Sequence, residues 1–87
     1  MSFVTGIMQE VMDWRDHIRS DPEILSGKPV VKGTRLSVEF LLGLFANGWS
    51  EEQVIEGYPN LTRESLRAVF AFAAESARDE RTFELHP

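Results

Sequence analysis

Arg63 and Arg67 are the side chains whose type and spacing best suit a chemical task. They lie four residues apart, so on a helix they share one face, with Thr62 and Ser65 beside them. Arginine can donate two hydrogen bonds to guanine, and hydroxyl side chains contact phosphate, so this set is suited to reading a DNA major groove. The same residues also fit the solvated side of an amphipathic helix, because short helix pairs occur in proteins that never bind DNA.

A second basic group lies upstream, where Lys28, Lys32 and Arg35 fall within eight positions. This segment could be a phosphate-contacting arm or a docking strand for another chain. Gly27 and Gly33 favour a structural interpretation, in which two tight turns aim the helix that follows. We include the three basic residues among the candidate DNA contacts.

Catalytic chemistry finds little support in the sequence. His17 and His86 are far apart and lie in no ligand-spaced motif, and the chain has no cysteine. Glu51 and Glu52 fit the first turn of a helix, where the dipole favours negative charge, better than an acid/base pair. We therefore expect no enzymatic activity, no catalytic residue, no metal site and no cofactor.

Three helices are predicted in the middle of the chain. Ser37, Ser50 and Thr62 are each placed as an N-cap, with an apolar residue before the cap and another four positions after it. Gly48 and Pro59 mark the ends of the first and second helices. The predicted helices span residues 38–47, 51–57 and 63–78.

Glycine and proline residues recur in the chain upstream of the helices, and they favour short extended segments over a long helix. We predict strands at residues 15–19 and 30–31, paired with each other or across a dimer. Apolar residues at helical spacing also predict a short amphipathic helix within residues 3–13. The chain therefore divides into an N-terminal extension at 1–14, a single domain at 15–78 and a C-terminal tail at 79–87.

The first predicted helix is apolar on nearly all sides, because Phe40 and Leu44 lie off its main apolar face. Phe72 lies off the apolar stripe of the third helix in the same way. A helix of this kind needs burial on two sides, and in a small chain a partner subunit can supply the second. We predict a homodimer with Phe40, Leu44 and Phe72 in its interface.

The composition bounds these interpretations. The chain has 87 residues, 43% of them hydrophobic, and a net charge of −5. This length suits one small domain, and no stretch is long and apolar enough to cross a membrane. No signal peptide is evident, so we expect a cytoplasmic protein. The acidity argues against non-specific coating of nucleic acid, which depends on phosphate neutralisation.

The segments 21–38, 47–54 and 58–62 together resemble the bacterial family of domains of unknown function 433. The resemblance covers residues 15–77 and rests on the Gly-Lys-Pro to Gly-Thr-Arg spacing and the Tyr-Pro-Asn-Leu-Thr turn. It implies a mainly α fold, a three-helix, homeodomain-like helix-turn-helix bundle with a short N-terminal β element. Members of the family often accompany a PIN-like nuclease-type protein, which implies the antitoxin half of a toxin–antitoxin pair.

Two functions follow as hypotheses. The first is an antitoxin-like, dimeric protein that binds a PIN-like toxin and its own promoter DNA. Acidic residues, including Asp79, Glu80 and Glu84, would then face a basic surface of the toxin. The second is a dimeric interaction module with no DNA contact, which the acidic segment 37–61 favours.

Overall fold

The structure, a computed structural model, describes residues 12–84, with side chains up to residue 78. Three α-helices and a two-stranded antiparallel sheet make up this part of the chain, as predicted. In chain order the elements are a 3-10 turn at Trp14–Asp16, β1 at Ile18–Arg19, a 3-10 turn at Leu25–Gly27, β2 at Val30–Val31, α1 at Val38–Ala46, α2 at Glu51–Gly57 and α3 at Arg63–Glu84.

The helices begin at the predicted capping residues. The hydroxyl of Ser37 accepts a hydrogen bond from the backbone N–H three residues later, at 2.9 Å. Ser50 and Gln53 form a reciprocal capping box, with distances of 3.1 and 2.8 Å. Thr62 Oγ1 accepts from the backbone N–H of Ser65 at 3.0 Å. Each cap satisfies an N–H that has no partner inside the helix, which is why local sequence predicts these starts.

The helix ends match the prediction less closely. α1 ends one residue earlier than predicted, and Gly48 follows with a φ of 97°, a left-handed conformation that suits glycine. α2 ends at Gly57, just before Tyr58–Pro59. α3 continues to Glu84, six residues beyond the predicted end at 78. Residues 79–84 contain no glycine or proline, so nothing local stops the helix after its apolar stripe ends.

The small sheet packs next to the start of α1. Ile18 pairs with Val31 and Arg19 with Val30 in antiparallel register, which confirms the pairing within one chain. β1 is shorter than the predicted strand at 15–19, because Asp13 accepts a hydrogen bond from the backbone N–H of residue 15 and starts a 3-10 turn there.

The core lies where α1, α2 and α3 meet the sheet. Leu41, Val54, Leu66 and Val69 have no exposed surface, and each comes from a helix. Both residues of β2 are buried, so the short strand contributes to the core on both faces. Met12 and Trp14, from the region predicted as an extension, are partly buried and pack against this core. The rest of the helix predicted at 3–13, up to residue 11, lies outside the described residues.

Candidate functional site

The hydroxyl groups at the start of α3 are engaged within the helix. Thr62 Oγ1 and Ser65 Oγ lie 3.0 Å apart, and the backbone N–H of Thr62 donates to Ser65 Oγ at 3.3 Å. Ser65 is only 7% exposed. Of the two predicted phosphate contacts, Thr62 is exposed and Ser65 is buried, so only the Thr62 side chain lies at the surface.

Arg63 lies against acidic side chains of α2. One guanidinium nitrogen lies 2.8 Å from Glu51 Oε1, and the other lies 3.8 Å from Glu52 Oε2. Arg67 is exposed, and within residues 12–78 it forms no hydrogen bond or ion pair. Of the two arginines predicted to contact bases, Arg63 is therefore paired with carboxylates of α2. Arg67 is exposed to solvent and has no partner among residues 12–78.

The upstream basic residues surround β2 and the start of α1. Lys28 Nζ lies 3.2 Å from Glu39 Oε1 in an exposed ion pair. Lys32 and Arg35 are exposed and form no ion pair with a described side chain. No hydrogen bond or ion pair between described side chains joins this group to Arg63 or Arg67, so the structure presents two separate basic groups.

Tight turns hold this segment, which confirms the structural interpretation of its glycines. Gly27 has a φ of 85° and Gly33 a φ of 80°. Thr34 Oγ1 donates to the Val31 carbonyl at 2.8 Å and accepts from the backbone N–H of Leu36 at 3.0 Å. The turn therefore fixes where α1 begins.

Phe40 and Leu44 line one side of α1. Phe40 is 42% exposed, and its ring packs edge-to-face on Tyr58 with centroids 5.8 Å apart. A surface cleft of about 540 Å³ beside it is lined also by Leu25, Lys28 and Arg35. We call this region the Phe40 surface.

Phe72 lies in a different place from Phe40 and Leu44. Its ring packs edge-to-face on Trp14, with centroids 4.7 Å apart. It also lines a groove together with Leu42 of α1. Because each helical residue turns about 100°, Leu42 lies about 160° around α1 from Phe40. The structure therefore divides the three predicted interface residues between two surfaces.

Phe70 is an exposed aromatic residue, although its spacing places it in the apolar stripe of α3. It is 40% exposed, and its ring lies 4.9 Å from that of Phe45 in a tilted arrangement. Its place near the edge of the apolar stripe of α3 was the only signal in the sequence. Leu25 and Trp49 are also 41% and 40% exposed. Aromatic side chains that become buried against a partner are frequent anchors of protein interfaces.

A cluster around Trp14 was not predicted from the sequence. The indole N–H of Trp14 donates to Glu75 Oε1 at 2.7 Å, although 61 positions separate the two residues. The guanidinium carbon of Arg15 lies 4.5 Å from the centroid of the Trp14 ring. A nitrogen of the same guanidinium lies 3.6 Å from Glu75 Oε2. This cluster attaches the chain before β1 to the middle of α3.

The described residues offer no arrangement that suggests metal chemistry. Among them, no three side chains of the His, Asp or Glu type converge as ligands. In the same part of the chain, no helix combines the length and hydropathy needed to cross a bilayer.

Comparisons with known proteins place the chain in a family. The model of the family described as "Protein of unknown function (DUF433)" matches residues 18–73. An uncharacterized protein of Sinorhizobium fredii, y4eO, is 36% identical over 76 residues, which cover 84% of this chain and 34% of that protein. The chain thus spans about a third of the length of this curated relative.

A solved structure shares the fold. The crystal structure of a DUF433 member protein from Anabaena variabilis superposes with a TM-score of 0.69 and 22% sequence identity, covering 90% of this chain and 77% of the other. The family match spans more than half of the 87 residues, including the sheet, the three described helices up to residue 73, and the turns between them. The chain therefore belongs to the DUF433 family of proteins of unknown function.

Proposed function

We propose that this protein is an antitoxin-like component of a toxin–antitoxin pair, which acts in the cytoplasm by binding a PIN-like toxin in a stoichiometric complex. The observation that carries the proposal is that four large hydrophobic residues are each 40–42% exposed. They are Leu25, Phe40, Trp49 and Phe70. Desolvating such side chains against a partner is favourable, and aromatic residues are frequent interface anchors. The family resemblance supplies the chemical class of the partner.

Two separate apolar surfaces suit two protein contacts. Phe40 and Phe45 lie about 140° apart around α1, so the Phe40 surface and the Phe45–Phe70 pair face different directions. We assign the Phe40 surface, with Leu44, to a homodimer and Phe70 to the toxin. Phe72 packs on Trp14, so the dimer proposal rests on Phe40 and Leu44.

Charge supports a basic partner. Glu39, Glu52, Glu56 and Glu64 are exposed on the described helices, and they would steer a basic nuclease surface toward the protein. Steering of this kind accelerates association mainly at low salt.

Co-expression with the product of the adjacent gene tests the toxin-binding proposal. A co-purifying complex of fixed stoichiometry is expected from the wild-type chain. Phe70→Glu should lose the toxin and keep the dimer, whereas Phe40→Glu should shift the chain to a monomer in light scattering. Ala46→Glu, an exposed position on α1, adds the same charge and should change neither. A chain that always elutes without the co-expressed protein would refute the toxin-binding proposal.

DNA binding is a second candidate function, favoured by the exposure of Arg67 near the N-terminal end of α3. The five-residue connection between α2 and α3, residues 58–62, has the proportions of a helix-turn-helix. In a homodimer two such helices would contact two half-sites of the promoter. Lys32 and Arg35 would contact phosphate, as would Lys28 once its ion pair with Glu39 opens.

An electrophoretic shift assay at low salt with the upstream DNA separates this candidate from an interaction module without DNA binding. The ion pairs of Arg63 with Glu51 and Glu52, and the burial of Ser65, favour the module. If DNA is bound, the Arg63→Ala/Arg67→Ala double variant should weaken binding, and added salt should weaken it steeply. Equal affinity of the double variant and the wild type would remove both arginines from the site.

A further inference from the structure

Gly43 lies in the interior of α1, where glycine weakens a helix. Glycine loses more backbone freedom than alanine when it becomes helical, so an interior glycine is unfavourable. The backbone does not require it, because Gly43 lies in regular helix and its φ is not positive. Packing does not require it either, since a Cβ atom at Gly43 would have no described atom within 4 Å, the helix's own backbone aside. The fold of the described residues therefore gives no reason for a glycine at this position.

Gly43 belongs to an exposed face of α1. Phe40, Gly43, Leu44 and Asn47 have the i, i+3, i+4 and i+7 spacing of one helix face. They line a surface groove of about 450 Å³ together with Lys28, Ser37 and Glu39. Phe40 is exposed, and Gly43 and Leu44 are partly exposed. Because Gly43 has no side chain, the backbone of α1 is open at this point to close approach by another helix.

This face is complementary to a second copy of itself. A two-fold interface uses the same patch on both subunits, so the patch must supply both members of each contact. Here an exposed ring, Phe40, lies three residues from the open backbone at Gly43. The groove also has both signs of charge, since the side chains of Lys28 and Glu39 are 58% and 79% exposed. A partner of one charge would match half of this patch, whereas a copy of the chain matches all of it.

We propose that two copies of the chain pack α1 against α1 across a two-fold axis, with Phe40 of each copy on the partner's Gly43. Lys28 and Glu39 of one copy then lie near the opposite charges of the other. This inference rests on the homodimer of the proposed function and makes Gly43 the residue that sets the distance between the two helices. The glycine weakens α1 in the monomer and stabilises the dimer.

Gly43→Ala should therefore change the fold and the dimer in opposite directions. In the Phe40→Glu background, which isolates the monomer, it should raise the unfolding midpoint by about 4–8 °C, because alanine favours helix. In the otherwise wild-type chain it should weaken dimerisation by at least about tenfold, because two added methyl groups separate the helices. Circular dichroism measures the first effect and sedimentation equilibrium the second.

Matched variants show whether the position or the residue type is responsible. Gly57→Ala makes the same change at the end of α2, outside the groove, where a Cβ atom would lie 3.7 Å from the Trp49 ring. It should leave dimerisation unchanged. Gly43→Gln also favours helix but is larger than alanine, so it should weaken dimerisation further. Ala46→Gln, at an exposed position of α1 that does not line the groove, should have no effect on it.

Charge reversal tests whether the patch meets a copy of itself. Lys28→Glu and Glu39→Lys each place like charges across the two-fold axis, so each variant alone should dimerise several-fold more weakly at low salt. An equal mixture of the two variants should recover dimerisation, because opposite charges then face each other between the chains. Pairing within one chain predicts no recovery, since each chain in the mixture still lacks its internal ion pair.

Each of four results would overturn the proposal. Unchanged dimerisation of Gly43→Ala would refute the close approach at Gly43 and leave the homodimer in place. A wild-type chain that is monomeric at every concentration would refute the homodimer as well, without affecting the toxin-binding proposal. A lower midpoint for Gly43→Ala in the Phe40→Glu background would show that Gly43 is packed against its own chain. No recovery in the mixture would refute the two-fold arrangement.

Discussion

Trp14 connects the chain before β1 to α3, and the replacement Trp14→Phe tests how much this contact stabilises the fold. The smaller ring can retain the packing on Phe72 but loses the indole N–H that donates to Glu75 at 2.7 Å. A hydrogen bond to a charged group contributes about 1.5–3 kcal/mol. The Glu75 side chain is 39% exposed, so water replaces part of this bond, and we expect a loss of about 1 kcal/mol.

Thermal unfolding followed by far-UV circular dichroism measures this loss. About 1 kcal/mol corresponds to a decrease of about 4–8 °C in the unfolding midpoint of a domain of this size. Trp49→Phe is the matched control, since Trp49 is 40% exposed and its indole forms no hydrogen bond within the described part of the chain. Its midpoint should change by less than half as much.

Glu75→Gln separates the hydrogen bond from the ion pair. The amide oxygen of glutamine can still accept from the indole, whereas the exposed ion pair with Arg15, at 3.6 Å, is lost. Exposed ion pairs contribute about 0–1 kcal/mol, so Glu75→Gln should cost less than Trp14→Phe. Equal midpoints for Trp14→Phe and Trp49→Phe would refute the reasoning, because the hydrogen bond from the Trp14 indole to Glu75 would then contribute no measurable stability.

Three further predictions concern caps, core and turns. Thr62→Ala should destabilise the fold by about 1 kcal/mol in chemical denaturation, because it removes the hydroxyl that accepts from the backbone N–H of Ser65; an unchanged midpoint would contradict the cap. Leu41→Ala should cost about 2–5 kcal/mol in the same assay, since Leu41 has no exposed surface; a loss below 1 kcal/mol would mean that the core collapses around the cavity. Ser26→Gly should stabilise the fold by up to about 1 kcal/mol, because Ser26 has a φ of 58°, whereas Gly48→Ala should destabilise it at a φ of 97°; the opposite signs would show that backbone conformation is not the cause.

The helix starts could be predicted because their causes are local. A capping hydroxyl and its N–H lie three residues apart, so the sequences after Ser37, Ser50 and Thr62 contain both partners. The end of α3 could not be predicted in the same way. Arg, Asp and Glu after residue 78 are compatible with helix, and no glycine or proline marks a stop before Glu84.

The candidate site depends on contacts that sequence spacing does not reveal. The spacing of Arg63 from Arg67 predicts a base contact, but the charge of Arg63 is paired with Glu51, twelve positions away on another helix. Ser65 carries a suitable hydroxyl, but packing of α3 on the core buries it. Phe70 has the spacing of a core residue, yet it lies at the edge of the buried face.

The sequence by itself determined the starts of the three described helices, their caps, the presence of two short strands and the family, because these depend on hydrogen bonds and patterns within a few residues. The tertiary structure decided which side chains remain available for a partner. Packing places Phe40 and the groove lined by Phe72 on different sides of α1. It also pairs Arg63 with Glu51 of α2 and brings Trp14 into hydrogen-bond contact with Glu75, 61 positions away. Exposure and pairing are properties of the packed helices together, so a pattern read along one helix cannot determine them.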